Sequence, residues 1–153
     1  MMVPGHISQK IVVAKLDVIS EMLGGVQSLP LASENEFTRD PRMVAAGESY
    51  LRRALEALLD LGRHILAKGF GLPVAEFAAI AEQLRAKGVV SGDLAATVKL
   101  MASYRNRLVH GYEAVTPSEL YSILTEKTSD VVTVSDAIRS WLAENPERVD
   151  ESL

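Results

Sequence analysis

The chain has no cysteine among its 153 residues, which removes disulfides, thiol nucleophiles, thiolate zinc sites and iron–sulfur ligation together. A reducing cytosol suits such a chain, and a cytoplasmic location is expected. No stretch approaches the roughly eighteen uninterrupted apolar residues that a membrane-crossing helix requires. The opening segment, Met1-Met2-Val3-Pro4-Gly5-His6, has no basic stretch followed by an apolar run, so neither export nor membrane insertion is expected. Aromatic residues are scarce at 5% and are not interleaved with basic ones, which leaves no stacking platform for single strands. A broad basic coat is missing as well, since the net charge is −4; any RNA contact has to be local. The three histidines, His6, His64 and His110, show no short metal-ligand spacing, and no glycine-rich phosphate loop occurs, so neither a metal nor a cofactor is expected.

What is present reads as one folded domain over residues 1–153, with residues 1–5 and about 143–153 as frayed tails. Hydrophobic residues make up 48% and charged residues 24%, values of a folded chain rather than a disordered one. At this length roughly two-thirds of the unfolded surface can be buried.

The apolar residues recur at spacings of three and four, the period of an amphipathic helix. Ile7, Ile11, Val12, Leu16, Ile19 and Leu23 mark a first helix. Residues 27–40 read as a loop. Asp40-Pro41 is a start signal for a long helix to about Lys68, stopped by Gly69 and Gly71. Its apolar face holds Leu51, Leu55, Leu58 and Ile65; its other face holds Arg52, Arg53, Glu56, Asp60 and Arg63, read as a solvated surface of charge pairs. Leu72-Pro73 opens a shorter helix ended by Lys87-Gly88. Ser91 caps a fourth helix, and Thr116-Pro117 with Glu119 opens a fifth through Trp141. The β-branched run Val131-Val132-Thr133-Val134 is ambiguous. No segment alternates with period two, so the expected fold class is all-α, an antiparallel bundle of four to five helices.

Chemistry concentrates at the end of the fourth helix. Asp93 against Lys99, Arg105 and Arg107 leaves a positive surplus in an acidic chain, and that surplus coincides with His110. Arg105 offers a fixed cation, Asn106 an amide that can orient a ring, His110 an imidazole that can take or give a proton, and Tyr112 a phenol. These are parts able to break a phosphodiester without metal, because a ribose 2′-hydroxyl must lose a proton and the transition state must be charge-stabilised. On one regular helix Arg105 and His110 point about 140° apart, so they converge only if the helix ends near Gly111 or a second copy contributes. A plainer reading stands beside this one: basic residues and a glycine at a helix end make a C-terminal cap. Glu56 and Asp60 share a helix face, as paired catalytic carboxylates do, and equally suit ion pairs with Arg53 and Arg63.

The segment Tyr104-Arg105-Asn106-Arg107-Leu108-Val109-His110-Gly111-Tyr112 resembles the Arg-x4-His-x-Tyr motif of the HepT-like family of HEPN-domain proteins. Residues 49–61 resemble that family's long second helix, Lys87-Gly88-Val89-Val90 its lead-in to the motif helix, and residues 118–124 its following helix. The resemblance covers about Ile7 to Leu142 and is weakest before Pro41. It implies a helical bundle and a homodimer with the motifs at the interface. It also implies RNA cleavage to a cyclic phosphate by Arg105 and His110; the residue chemistry adds Asn106, which can fix the imidazole or bind the ribose. Asp60 and Arg107 are expected in supporting positions around them. A toxin–antitoxin pair with a small MntA-like nucleotidyltransferase is implied too, the partner attaching AMP to Tyr112. Tyr112 is thus either a modification target or a phenol capping the helix junction. A different class of function also fits the acidic charge and sparse aromatics: a non-catalytic binding subunit that docks on the nucleotidyltransferase.

Overall fold

The computed structural model describes residues 5–110 and 114–153. Among these residues seven α-helices carry the fold: α1 (Gln9–Gln27), α2 (Glu34–Thr38), α3 (Pro41–Phe70), α4 (Phe77–Ala86), α5 (Gly92–His110), α6 (Pro117–Glu126) and α7 (Thr128–Glu144). Two short strands, β1 (Ile7–Ser8) and β2 (Val149–Asp150), pair in parallel with Ile7 opposite Val149. None of the helices among the described residues is long and apolar enough to cross a membrane.

Helix α3 is the spine. Asp40 caps its first turn by accepting from the Arg42 N–H, Pro41 occupies the first position, and Gly71 ends it at φ 64, a left-handed conformation that a side chain disfavours. Leu51, Leu55, Leu59, Leu61, Ile65 and Leu66 along it are all at most 1% exposed, and each such leucine contributes about 2 kcal/mol of burial. Helix α1 lies along α3, α4 and α5 pack against α3 and each other, and α6 and α7 close the remaining side. The buried stripe of α1 is Val12, Ile19, Met22 and Val26. Ile11, expected within that stripe, is 40% exposed.

The all-helical expectation holds, and the count differs for two local reasons. Residues 27–40 are not simply a loop, because Ser33 accepts from the Glu36 N–H and starts α2, a Ser-x-x-Glu pattern that marks helix starts. This turn sinks Phe37, which is fully buried, its ring centre 6.0 Å from that of Tyr121. The fifth expected helix is two helices, α6 and α7, divided at Lys127. Thr125 and Thr128 donate their hydroxyls to the carbonyls of Tyr121 and Leu124, back-bonding that bends helices. The β-branched run at 131–134 is helical.

The C-terminal segment, expected to fray, folds back instead. A 3-10 turn at Pro146–Arg148 leads into β2, Arg148 Nη1 donates to the Gly69 carbonyl at 2.7 Å, and Lys10 N–H donates to the Leu153 carbonyl. Arg148 also lies 4.2 Å from the Phe70 ring centre, and Gly5 rests against the Glu147 backbone. A backbone carbonyl at the end of α3 has no intrahelical partner, and a guanidinium supplies one. Residues 1–4 of the expected N-terminal tail lie outside the described residues.

Candidate active site

Helix α5 places the motif. Ser91 Oγ accepts from the Leu94 N–H at 3.2 Å, and Ala95, Val98, Met101 and Ala102 bury its inner face. The helix continues through His110, so Arg107 and His110 occupy its last turn, where positive charge is favoured by the aligned peptide dipoles.

Arg105 turns toward α3 and the start of α4. Its side chain is 22% exposed, with Nη2 3.8 Å from Glu56 Oε2, and Nη1 donates to Asn106 Oδ1 at 3.3 Å. Its Cζ lies 4.7 Å from the centre of the Phe77 ring. Arg63 reaches the same ring from α3, with Cζ at 4.4 Å, and Arg63 Nη2 donates to the Ala75 carbonyl at 3.0 Å. One phenyl ring thus carries two guanidiniums, a contact driven by the ring quadrupole. The Nε atoms of Arg63 and Arg105 are buried without a hydrogen-bond partner among the described residues.

The carboxylates opposite are engaged in ion pairs. Glu56 takes Arg52 Nη1 at 2.7 Å, whereas Arg53 was the expected partner. Asp60 lies 3.6 Å from Lys15 Nζ and 3.4 Å from Arg63 Nη1. A cavity of about 480 Å³ opens between these groups, lined by Glu56, Asp60, Arg63, Arg105, Asn106 and His110, with Phe77 in its wall. Arg105 and His110, expected to point about 140° apart, both line this cavity, and Asn106 lies on the arc between them. His110 is exposed rather than packed among aliphatic side chains.

Arg107 faces elsewhere. Its guanidinium grips Glu119 of α6 through two bonds of 2.6 and 2.7 Å, and this contact holds the Glu119 carboxyl below its ordinary range. The pair ties α5 to α6 across residues 111–113. Tyr112, expected as AMP acceptor or helix-junction cap, lies outside the described residues. Among the described residues no three His, Asp or Glu side chains are grouped as a metal ion needs.

Phe77 and Arg63 escaped the sequence reading, Phe77 as one apolar position in a helix and Arg63 as solvated surface. Both enter the site through tertiary contact between α3, α4 and α5, for which local spacing carries no signal.

A family model described as "Ribonuclease HepT-like" matches residues 17–138. No curated protein matches the chain by sequence. Among solved structures, the chain is similar to a protein of a toxin–antitoxin complex crystallised with AMP-PNP, at 18% identity and TM-score 0.77, covering 86% of this chain and 99% of that one. A tri-AMPylated HEPN toxin from Shewanella oneidensis, solved with its MNT antitoxin, is 19% identical with TM-score 0.77, covering 85% and 97%. YutE from Bacillus subtilis, a cytosolic protein of unknown function, is 20% identical with TM-score 0.74, covering 91% and 93%. At these identities the likeness is one of fold.

Proposed function

The chain belongs to the ribonuclease HepT-like family, and on that premise we propose that it is a metal-independent endoribonuclease of the toxin kind. The reading is carried by one observation: Arg105, Asn106 and His110 line one solvent-open cavity at the end of α5. In this reaction the His110 imidazole takes the proton of a ribose 2′-hydroxyl, and the freed oxygen attacks the adjacent phosphorus. Arg105 meets the charge that builds on the non-bridging oxygens. The bond to the 5′-oxygen breaks as that oxygen takes a proton from an imidazolium across a dimer cleft, leaving a 2′,3′-cyclic phosphate. Asn106 fixes the arginine, since its Oδ1 accepts from Nη1.

The active form is a homodimer whose motif helices face each other, so that each site is composite. Its partner is an MntA-like nucleotidyltransferase antitoxin. AMP placed on Tyr112, two residues after His110 in the sequence, adds negative charge that repels a phosphate substrate. The location is cytoplasmic. Purified protein is expected to cut RNA in EDTA, and His110→Ala to abolish cutting with the dimer intact; cutting that survives this change rules the assignment out.

A second reading, a non-catalytic subunit of the nucleotidyltransferase, is favoured by the carboxylates Glu56, Asp60 and Glu76 that line the cavity beside Arg63 and Arg105, acids that compete with a phosphate for the guanidiniums. Expression without the antitoxin separates the two: growth arrest supports the nuclease, and normal growth supports the binding subunit.

A further inference from the structure

Asn106 and His110 line a second cavity as well as the first, and the two differ in chemistry. The second, about 460 Å³, lies on the other side of these residues, with Ala78 and Ala102 as its apolar surface and Lys99, Ser103 and Arg107 as its polar one. No carboxylate lines it among the described residues. Two acids that its cations reach are held elsewhere: Glu119 by Arg107, and Glu82 by Arg85, whose hydrogen bond lowers the Glu82 carboxyl with a smaller contribution from Lys99. Lys99 is therefore positive charge on an exposed surface, beside a cavity whose carboxylates Glu56 and Asp60 are held in ion pairs.

At about 100° per residue, Lys99, Ser103, Asn106 and His110 fall within a band of roughly 60° along α5. They form one row that ends at the proposed catalytic imidazole. Lys99 stands roughly 16 Å along the helix axis from His110, too far for both to hold one phosphate. A polyanion leaving the site along this row meets no lining carboxylate among the described residues and is drawn toward Lys99.

We propose that this groove between α4 and α5 holds the single strand of RNA flanking the scissile linkage. Lys99 pairs with a phosphate beyond the one that is cut, Ser103 donates to a backbone oxygen, and the exposed Ala78 receives a ribose face. The assignment rests on the ribonuclease reading and adds to it that the substrate is an oligonucleotide gripped outside the reacting atoms.

The test is the binding of a fluorescein-labelled 2′-O-methyl decaribonucleotide, which cannot be cleaved, followed by anisotropy across a salt series with the full chain. Lys99→Gln is expected to weaken binding several-fold and to flatten the slope of log affinity against log salt by about 0.7, the value for one lost phosphate contact on a single strand. Lys99→Arg should restore the slope, and Lys10→Gln, on exposed α1, should leave it unchanged. With cleavable RNA, Lys99→Gln should raise KM for a decamer and leave the rate on a dinucleotide alone. An unchanged salt slope in Lys99→Gln overturns the proposal, as does dissociation of the dimer by that variant, which would assign the groove to a second copy. Lys99-dependent binding without cleavage by any variant would instead remove the nuclease reading and leave the groove in place.

Discussion

The guanidinium of Arg105 stacks on Phe77, with Cζ 4.7 Å from the ring centre. Its Nε hydrogen is buried with no acceptor among the described residues, so the ring, Glu56 and the Asn106 amide oxygen, rather than a full set of hydrogen bonds, hold its position. A cation fixed this way keeps its remaining N–H groups available for a phosphate.

Phe77 is thus expected to be a positioning residue. Replacing it by Leu removes a contact of about 0.5–2 kcal/mol, roughly two- to thirtyfold in rate. The loss should fall on kcat with KM little changed, and Phe77→Tyr should recover activity. Steady-state kinetics on a decaribonucleotide decide this: an equal loss in the Tyr variant would mean that Phe77 serves packing alone.

The Arg107–Glu119 pair is expected to act on stability rather than on chemistry. Its side chains are 25% and 36% exposed, so solvent screening limits its worth to about 0.5–1 kcal/mol. Glu119→Gln should lower Tm by a few degrees and keep cleavage near the parent rate. The folded carboxyl titrates below its ordinary 4.5, so this contribution is full above that value and is lost as pH falls through the lowered pKa. Melting curves from pH 3 to 7 for both proteins would show the difference closing at the acid end.

His64 supplies a second pH-dependent element. Its Nε2 accepts the Ser8 N–H at 2.9 Å, which requires the neutral ring. Burial, then Lys68 and Lys15, push its pKa below 6.5. A depressed folded pKa means that stability is full above 6.5 and falls as pH drops through the folded value. His64→Gln should remove this part of the pH dependence between pH 5 and 7.5. Parallel melting curves for parent and variant would contradict the assignment.

Arg148 is expected to anchor the C-terminal segment. Its bond to the Gly69 carbonyl is charge-assisted, and Arg148→Ala should cost about 1.5–3 kcal/mol. Backbone amides of β1 and β2 should then exchange faster while those of α5 keep their protection. Uniform exchange across the chain in the variant would refute a local anchoring role.

Much of this protein is written locally. Asp40-Pro41, Thr116-Pro117, Gly71 and Gly88 act through bonds within a few residues, so helix ends near them follow from the sequence alone. The Arg-x4-His spacing likewise places Arg105 and His110 on one helix without any knowledge of its neighbours. Ser33-x-x-Glu36 was equally legible, and the polar residues around it concealed a turn that serves to bury Phe37. The division at Lys127 had its signal in Thr125 and Thr128, though apolar periodicity runs straight through it.

The directions in which the motif's two arginines reach were settled only by packing. Arg105 and Arg107, two residues apart, point about 160° away from each other, and nothing in their identity says which meets the cavity. The seating of α3 and α4 on one flank of α5, and of α6 on the other, sends Arg105 to Phe77 and Glu56 and Arg107 to Glu119. Short-range bonds fix where a helix begins and which residues it carries. Which residues those side chains meet depends on contacts between segments far apart in the chain, and so belongs to the tertiary structure.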